Sequence, residues 1–536
     1  MFILQKNMDN ILPIFKSWVP EWLIKVILFS VLLPCVVLFF LPLSNLNAAA
    51  GYYGCEIADI QFSVALFYSG YVGFYSLERR FFSFLATKEY FILFTFLNII
   101  TTLICYLTNE INILFPIRFI QGMLFASSVN LSLSVIFTRL HTERAREIGF
   151  SVFFGMILIA LPFNNLITAD LIDSYNFNSV FKGALFSFLP GFFMLIVSMN
   201  NIRFNIKFPL KNLDWQSFSI YTIILILIGY ITIYGQEYYW LNDKRIKYSF
   251  ITIVVLCILY FIRQQRMKRP YINLLVFKFR NFNIGVILLF VMYICRFSVG
   301  ITNNFFTAVL KFDPIHLSYI NLFNLIGLIT GVVISCTLLI QRKPIRYVWL
   351  PGFFFLLIFH FLMFYLFDVY GDNFNYYIPL LLQGLGVGMI MVPTIIYAIS
   401  SVPVSLGPSA SAICLAIRYF GFCASIALLN YFELFEKSKH YNTFQNNLTL
   451  LNPVVKQYLS FNNEHLLDKG LVTLKSVKAS SKLLINNLNQ QNNLRYAMDY
   501  YTIMIWILFG TLLLIIVFPY LNKTVVYLRS KVLSPA

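Results

Sequence analysis

Acidic charge is what this chain has least of. Its 536 residues hold 22 Asp and Glu against 40 Lys and Arg, and all charged residues together make up 12%. Soluble domains are about 25% charged, so a water-facing globular fold is excluded. Other absences narrow the field. Alternating strand patterns of about ten residues are missing, which argues against a membrane β-barrel. The eight cysteines sit mostly in apolar stretches without CxxC spacing, so neither a disulfide framework nor a metal site is expected. No Walker-type phosphate loop occurs, so ATP hydrolysis by this chain is excluded as an energy source. The five histidines are scattered, and neither HExxH nor GxSxG is present; no catalytic residues and no cofactor are expected.

What is present is apolar length. Hydrophobic residues make up 59% of the chain and the mean hydropathy is +0.76. Runs of eighteen or more apolar residues recur, each long enough to cross a hydrocarbon core of about 30 Å as a helix. Fourteen membrane helices are predicted, near 23–43, 60–78, 90–107, 111–137, 148–168, 179–199, 214–235, 248–262, 282–309, 318–340, 347–367, 377–398, 410–431 and 502–522. The expected class is therefore an all-α polytopic membrane protein.

The net charge of +18 does not point to nucleic acid, because the basic residues fall mainly in short connections between the spans. With the N-terminus inside, the tails and inward loops hold 24 Lys and Arg, against five in the short outward loops. That asymmetry puts both termini in the cytoplasm, although one inward loop, "SSVPVSLGPSA", carries no positive charge. Residues 1–22 read as a cytoplasmic amphipathic segment, not a removable signal. The long loop 432–501 falls outside, where the charge rule loosens. Its apolar residues recur at helical spacing, which suits a small helical cap or hairpin, and its Asn-rich composition equally suits a spacer.

The chain repeats itself. "RFIQGMLFASSVNLSLSVI" in the fourth span has a partner in "LLLQGLGVGMIMVPTIIYAI" in the twelfth: Gln121-Gly122 matches Gln383-Gly384, each with a proline (Pro116, Pro379) upstream. The basic loops "LERRFFSFLATKEY" and "IQRKPIRYVW" each sit two spans earlier. Residues 23–199 and 282–536 thus read as two six-helix bundles, the second including the 432–501 loop, and residues 200–281 as a linker carrying an extra helix pair. Repeat-built membrane proteins of this kind bind substrate between the halves and work by rocking.

R-x-x-Q-G in the fourth span is similar to a motif of the major facilitator superfamily. The stretch from "LDWQSFSIYTIILILIGYITIYGQEYYW" to "RPYINLLVFKFRNF" resembles the Asp-Trp opening and Pro-x6-Phe-x-x-Arg-x-Phe close that bracket the seventh and eighth helices of the fourteen-helix drug:proton antiporters of the EmrB/QacA type. "ASAICLAIRYFGFCASIAL" resembles their thirteenth helix through Arg418 and Gly421. The chain departs from the pattern in its reduced loop after the second span, in "GMILIALPFNNLITADL" where paired glycines are usual, and in lacking an aspartate in the first span. The resemblance implies a secondary active transporter, a proton-coupled exporter of amphiphilic small molecules in a bacterial inner membrane. It also implies a periplasmic adaptor and an outer-membrane channel as partners.

An arginine at the centre of a membrane helix costs roughly 2.5–3.5 kcal/mol on insertion scales, so each one needs a reason. The resemblance gives Arg118 a cavity-facing role in proton coupling; a structural role on neighbouring carbonyls is the plainer alternative. Gln121, Gly122 and Gln383 suit helix packing. Arg118, Arg296 and Arg418 are all embedded in their spans with no acid at comparable depth, which suggests either an acidic group on the substrate, bound where the three face one cavity, or local pairing of each arginine with helix-end acids or carbonyls. Asp170 is the leading proton-binding candidate, with Glu56 and Asp59 behind it, all near outer helix ends. A membrane-embedded transferase would need a catalytic cluster that is missing, and a non-transporting sensor would keep the fold without the flux.

Overall fold

The computed structural model describes residues 14–82, 86–139, 145–202, 213–267, 270–449 and 451–517. The expected N-terminal amphipathic segment lies largely outside them. The end of the molecule that carries residues 432–501 is taken as the outer end.

The first six spans are α1 (Glu21–Ser44), α3 (Ile57–Phe82), α4 (Thr87–Leu107), α5 (Ile111–Arg139), α6 (Ala145–Ser174) and α7 (Asn178–Ser198), with a short α2 (Leu46–Tyr53) at the outer end. Next come α8 (Trp215–Tyr234) and α9 (Lys244–Arg266). The later spans are α10 (Arg280–Arg296) with α11 (Val299–Ala308), α12 (Pro314–Ile340), α13 (Arg346–Leu366), α14 (Asn373–Ser400), α15 (Gly407–Tyr431) and the end of α18 (Thr473–Val517). Among the described residues, thirteen helices are long and apolar enough to cross a membrane. The remaining predicted span is α3, whose 26 residues include a polar row, Asp59, Gln61, Ser63 and Ser69, that lowers its apolar average.

Two features depart from the predicted spans. The ninth breaks between α10 and α11, where Ser298 turns its hydroxyl back onto the Cys295 carbonyl at 2.7 Å; such side-chain bonds compete with the helical ladder. The last span is the end of a 45-residue helix that starts far outside the expected 502–522. Its outer part packs against α16 (Lys437–Asn447) and α17 (Pro453–Asp468), so the long outer loop is mainly helical.

The repeat is visible at backbone level where α3 crosses α5 and α12 crosses α14. A Cβ on Gly70 would meet the Phe119 carbonyl at 2.3 Å, and one on Gly122 the Phe67 carbonyl at 1.9 Å. In the second bundle Gly327 faces the Leu381 carbonyl at 2.2 Å and Gly384 the Asn324 carbonyl at 2.3 Å. The Gln-Gly match fixes the register of α5 on α14, and Phe119 and Leu381 fall at the same place in it. Only glycine lets two helix backbones approach this closely.

The bundles meet along α3 and α15 and along α6 and α12. Helix α8 packs against both α3 and α15, and Asn430 of α15 donates to the Ile233 carbonyl at 3.0 Å. Its partner α9 leaves Val254, Val255, Ile258, Leu259 and Phe261 exposed, as a lipid-facing helix does. The segment closing the pair acts as a strap at the inner end. There the Tyr271 hydroxyl donates to the Gly73 carbonyl at 2.6 Å, and the Asn273 amide donates to Ser409 Oγ at 3.1 Å.

Candidate transport site

Proline decides where the first arginine goes. Pro42 has no N–H, so the Leu38 carbonyl, four residues earlier in α1, loses its helical donor. Arg118 occupies that carbonyl: Nη1 donates to Leu38 O and Nη2 to Phe39 O, both at 2.9 Å. Nη1 also reaches Gln121 Oε1 at 2.9 Å, and the guanidinium lies 4.6 Å from the centre of the Phe67 ring. The side chain is fully buried. Its charge is therefore offset inside the first bundle, in the plainer of the two arrangements expected for it, while its Nε has no hydrogen-bond partner. Gln121 and Gly122 serve the same crossing. Gln383, the match of Gln121, bonds to Asn324 and donates to the Arg296 carbonyl at 3.2 Å, a carbonyl at the α10–α11 break.

The second arginine follows the same rule across the interface. Pro162 in α6 frees the Leu158 carbonyl. Arg296 Nη2 donates to Leu158 O and to Ile157 O, each at 3.2 Å, so a residue of the second bundle holds the backbone of the first. The rings of Phe40, Tyr293 and Phe297 surround it at 5.4–5.7 Å. Arg418 has no such carbonyl. It sits 4.9 Å from the centre of the Phe154 ring, among the phenols of Tyr293, Tyr68 and Tyr71. Arg296 Nη1 and Arg418 Nε are buried without a hydrogen-bond partner. The structure thus brings Arg296 and Arg418 together beside Tyr293 and leaves Arg118 apart on its own carbonyls.

The acids gather elsewhere. A cavity of 1380 Å³ at the outer end is lined by Glu56, Asp59, Tyr234, Glu237, Tyr238 and Lys439, among others. The Tyr234 hydroxyl donates to Asp59 Oδ1 at 2.5 Å, linking the extra helix pair to α3. Half-buried Glu237, in the turn after α8, is pushed up to about 7 by burial and by the carboxylates of Glu56 and Asp59. Asp170 is exposed near the outer end of α6 and lies outside this lining.

Sequence reasoning missed Glu237, Tyr234, Asn324 and the two carbonyl-freeing prolines. The prolines carried a readable signal, a buried helix with proline four residues after an unpartnered carbonyl, but nothing in the chain says which arginine arrives there.

No protein-family model matches this chain. It is 25% identical over 361 residues to the colistin resistance protein EmrB of Acinetobacter baumannii, covering 65% of this chain and 67% of that one. Its fold is similar to that of a POT family transporter solved with 5-aminolevulinic acid, with a TM-score of 0.60, 13% identity, and coverage of 93% of this chain and 96% of the other. A peptide transporter POT solved with sulfate gives a TM-score of 0.55 at 13% identity, over 97% and 99% of the two chains. These relatives are transporters or resistance proteins and not enzymes. Joined to the glycine crossing repeated in both bundles and the extra pair between them, they give the chain the fold of a POT family transporter and a sequence similarity to EmrB, which fits its resemblance to the major facilitator superfamily.

Proposed function

We propose that this chain is a proton-driven exporter of amphiphilic small molecules, working by alternating access in a bacterial inner membrane with both termini cytoplasmic. The observation that carries the reading is the Arg296 bond to the Ile157 and Leu158 carbonyls. It joins two bundles of repeated design at their interface, and it must break when they rock apart. The substrate site lies beside it, at Arg296, Arg418, Tyr68, Tyr71 and Tyr293. Orphaned N–H groups on two buried guanidiniums suit a substrate with an acidic group, and the rings suit its apolar body.

The outer cavity is the proton-loading place in this reading, with Glu237 and Asp59 exchanging with the outside; Asp170 is the alternative acid. Moving one charge through 100 mV is worth about 2.3 kcal/mol, enough for nearly a fifty-fold substrate gradient per proton. An adaptor fits the outer end. The part of α18 before the membrane, 473–499, extends about 40 Å at 1.5 Å per residue. Leu451, Val454, Phe461, Val472 and Leu474 are exposed in this outer helical region, and a periplasmic protein is the partner proposed to cover them.

Flux in proteoliposomes tests the reading. An imposed pH gradient should drive uptake of an acidic amphiphile into vesicles holding inverted protein, and Arg296→Gln should impair acidic substrates more than neutral or cationic ones. No gradient-driven flux of any class leaves a sensor; equal loss for all classes means the arginines serve the moving parts and not the cargo.

A further inference from the structure

The cysteines give no reason to look for a metal, but the histidines and carboxylates do. We propose that Glu436, His440 and Asp499 form a divalent-cation site of the zinc or manganese class, which clamps the outer extension of the thirteenth span to that of the fourteenth. Glu436 and His440 stand four residues apart, so they share one helix face. Asp499 comes from α18, a helix remote in sequence. The three donor atoms lie within 4.8 Å of one another, and His440 Nε2 and Asp499 Oδ2 are 2.6 Å apart.

An ion bound at about 2.0–2.2 Å from nitrogen and carboxylate oxygen holds its donors roughly 3–3.5 Å apart, so donors within 4.8 Å of one another have to draw in by roughly 1–2 Å at most to close the site. One nitrogen and two carboxylate oxygens make a borderline donor set, suited to zinc or manganese and poor for calcium. Two further features favour a built site. The helix passes through a π-turn, Phe432–Glu436, that ends on the first ligand, and π-turns concentrate at functional positions. The Tyr431 hydroxyl donates to Glu436 Oε1 at 3.2 Å, an outer bond that orients the carboxylate as ligands commonly require. Lys439 competes, pairing with Glu436 Oε2 at 3.1 Å, but its side chain is 63% exposed and free to swing into water. On binding, His440 presents Nε2 bare and carries its proton on Nδ1, and the ion takes the place of the His440–Asp499 hydrogen bond.

The probe is Zn2+, titrated calorimetrically into the full chain in detergent after treatment with a chelator. One ion should bind per chain. His440→Ala and Asp499→Asn should each weaken binding at least tenfold, whereas His440→Cys, which keeps a donor, should stay within tenfold of the native chain. Lys439→Ala should bind at least as tightly as the native chain. The proposal fails if the native chain binds no Zn2+ or if His440→Ala binds it unchanged. It also fails if His440→Cys is as weak as His440→Ala, because the loss then comes from packing and not from the missing donor.

Discussion

The two helix crossings, α3 on α5 and α12 on α14, share a backbone and differ in chemistry. Each is drawn together by a glycine pair against carbonyls, at matching places in the repeat. Around that frame the first bundle puts Phe67 and Arg118, where the second puts Asn324 and Leu380. Arg118 reaches the carbonyls of α1, while Asn324 donates to the Leu380 carbonyl at 3.0 Å and bonds to Gln383. The second bundle carries its arginine on α10 instead, where Arg296 bonds to the other bundle. Close approach is a steric demand that only glycine meets, so it persisted in both copies. Polar filling is a matter of donors and acceptors, which several residue sets can balance, so it diverged. The difference separates an arginine closed inside one bundle from an arginine that bonds across the interface between the two.

The largest expected effect comes from making the first crossing resemble the second. Arg118→Leu, which copies Leu380, leaves the Leu38 carbonyl and Gln121 Oε1 without their donor. Buried unsatisfied groups cost about 1–3 kcal/mol each, so the loss should be roughly 2–6 kcal/mol in thermal or denaturant unfolding in detergent. Adding Pro42→Ala restores an N–H to the Leu38 carbonyl and should recover part of that loss. A double variant no more stable than Arg118→Leu alone would mean that the proline and the arginine are not coupled.

The glycines come next. Gly122→Ala and Gly384→Ala force a methyl against a carbonyl of the facing helix, at 1.9 and 2.3 Å respectively. Overpacking of this kind costs about 1–3 kcal/mol, with Gly122→Ala the worse. Gly155→Ala is the control, because its methyl would meet only the Val332 side chain at 3.3 Å, and it should change stability by about 0.5 kcal/mol or less. Equal effects at all three positions would dissolve the claim that the paired glycines set the crossing.

The spans were legible because bilayer thickness and basic loops act residue by residue. The pairing of Gln121-Gly122 with Gln383-Gly384 was legible as text, and the structure gives it a shared geometry. Three-dimensional choices were not legible. Arg118 and Arg296 look alike in sequence, two arginines in apolar runs, yet one closes on its own bundle and the other crosses. The extension of α18 escaped because its outer half is rich in asparagine, a weak helix former; packing against α16 and α17 holds it. The outer cavity escaped because Glu237 lies in the turn after α8, 178 places after Asp59 in the chain.

A smaller effect separates the outer end from the inner. Glu237 is an acid raised to about 7, so it binds its proton in the folded chain at pH values where the unfolded chain has already lost it. Raising the pH from its ordinary carboxylate value through about 7 therefore withdraws stabilisation and charges the outer cavity. Glu237→Gln should flatten the step near pH 7 in the pH profile of transport. A native-like step in that variant would move the proposed proton-loading place to Asp59 or Asp170.

The smallest effect belongs to the inner end, where Tyr75 meets Ser411. The Tyr75 hydroxyl and Ser411 Oγ are 2.8 Å apart, tying α3 to α15. Tyr75→Phe removes one neutral bond worth about 0.5–1.5 kcal/mol, which is roughly two- to twelve-fold in a two-state balance. If the bundles rock as proposed, the loss of this bond should favour the inward-open arrangement by that factor. Labelling of cysteines introduced at positions 75 and 411 cannot report it, since that would remove the bond itself. A cysteine at Ser400, next to the inner end of α14, can. It should label severalfold faster from the inner side in the Tyr75→Phe background than with Tyr75 intact. The Arg296 bond crosses the same interface deeper in the membrane, so Arg296→Gln should increase labelling in the same direction. If Tyr75→Phe increases labelling and Arg296→Gln does not, the guanidinium holds its carbonyls in both arrangements, and its contrast with Arg118 disappears.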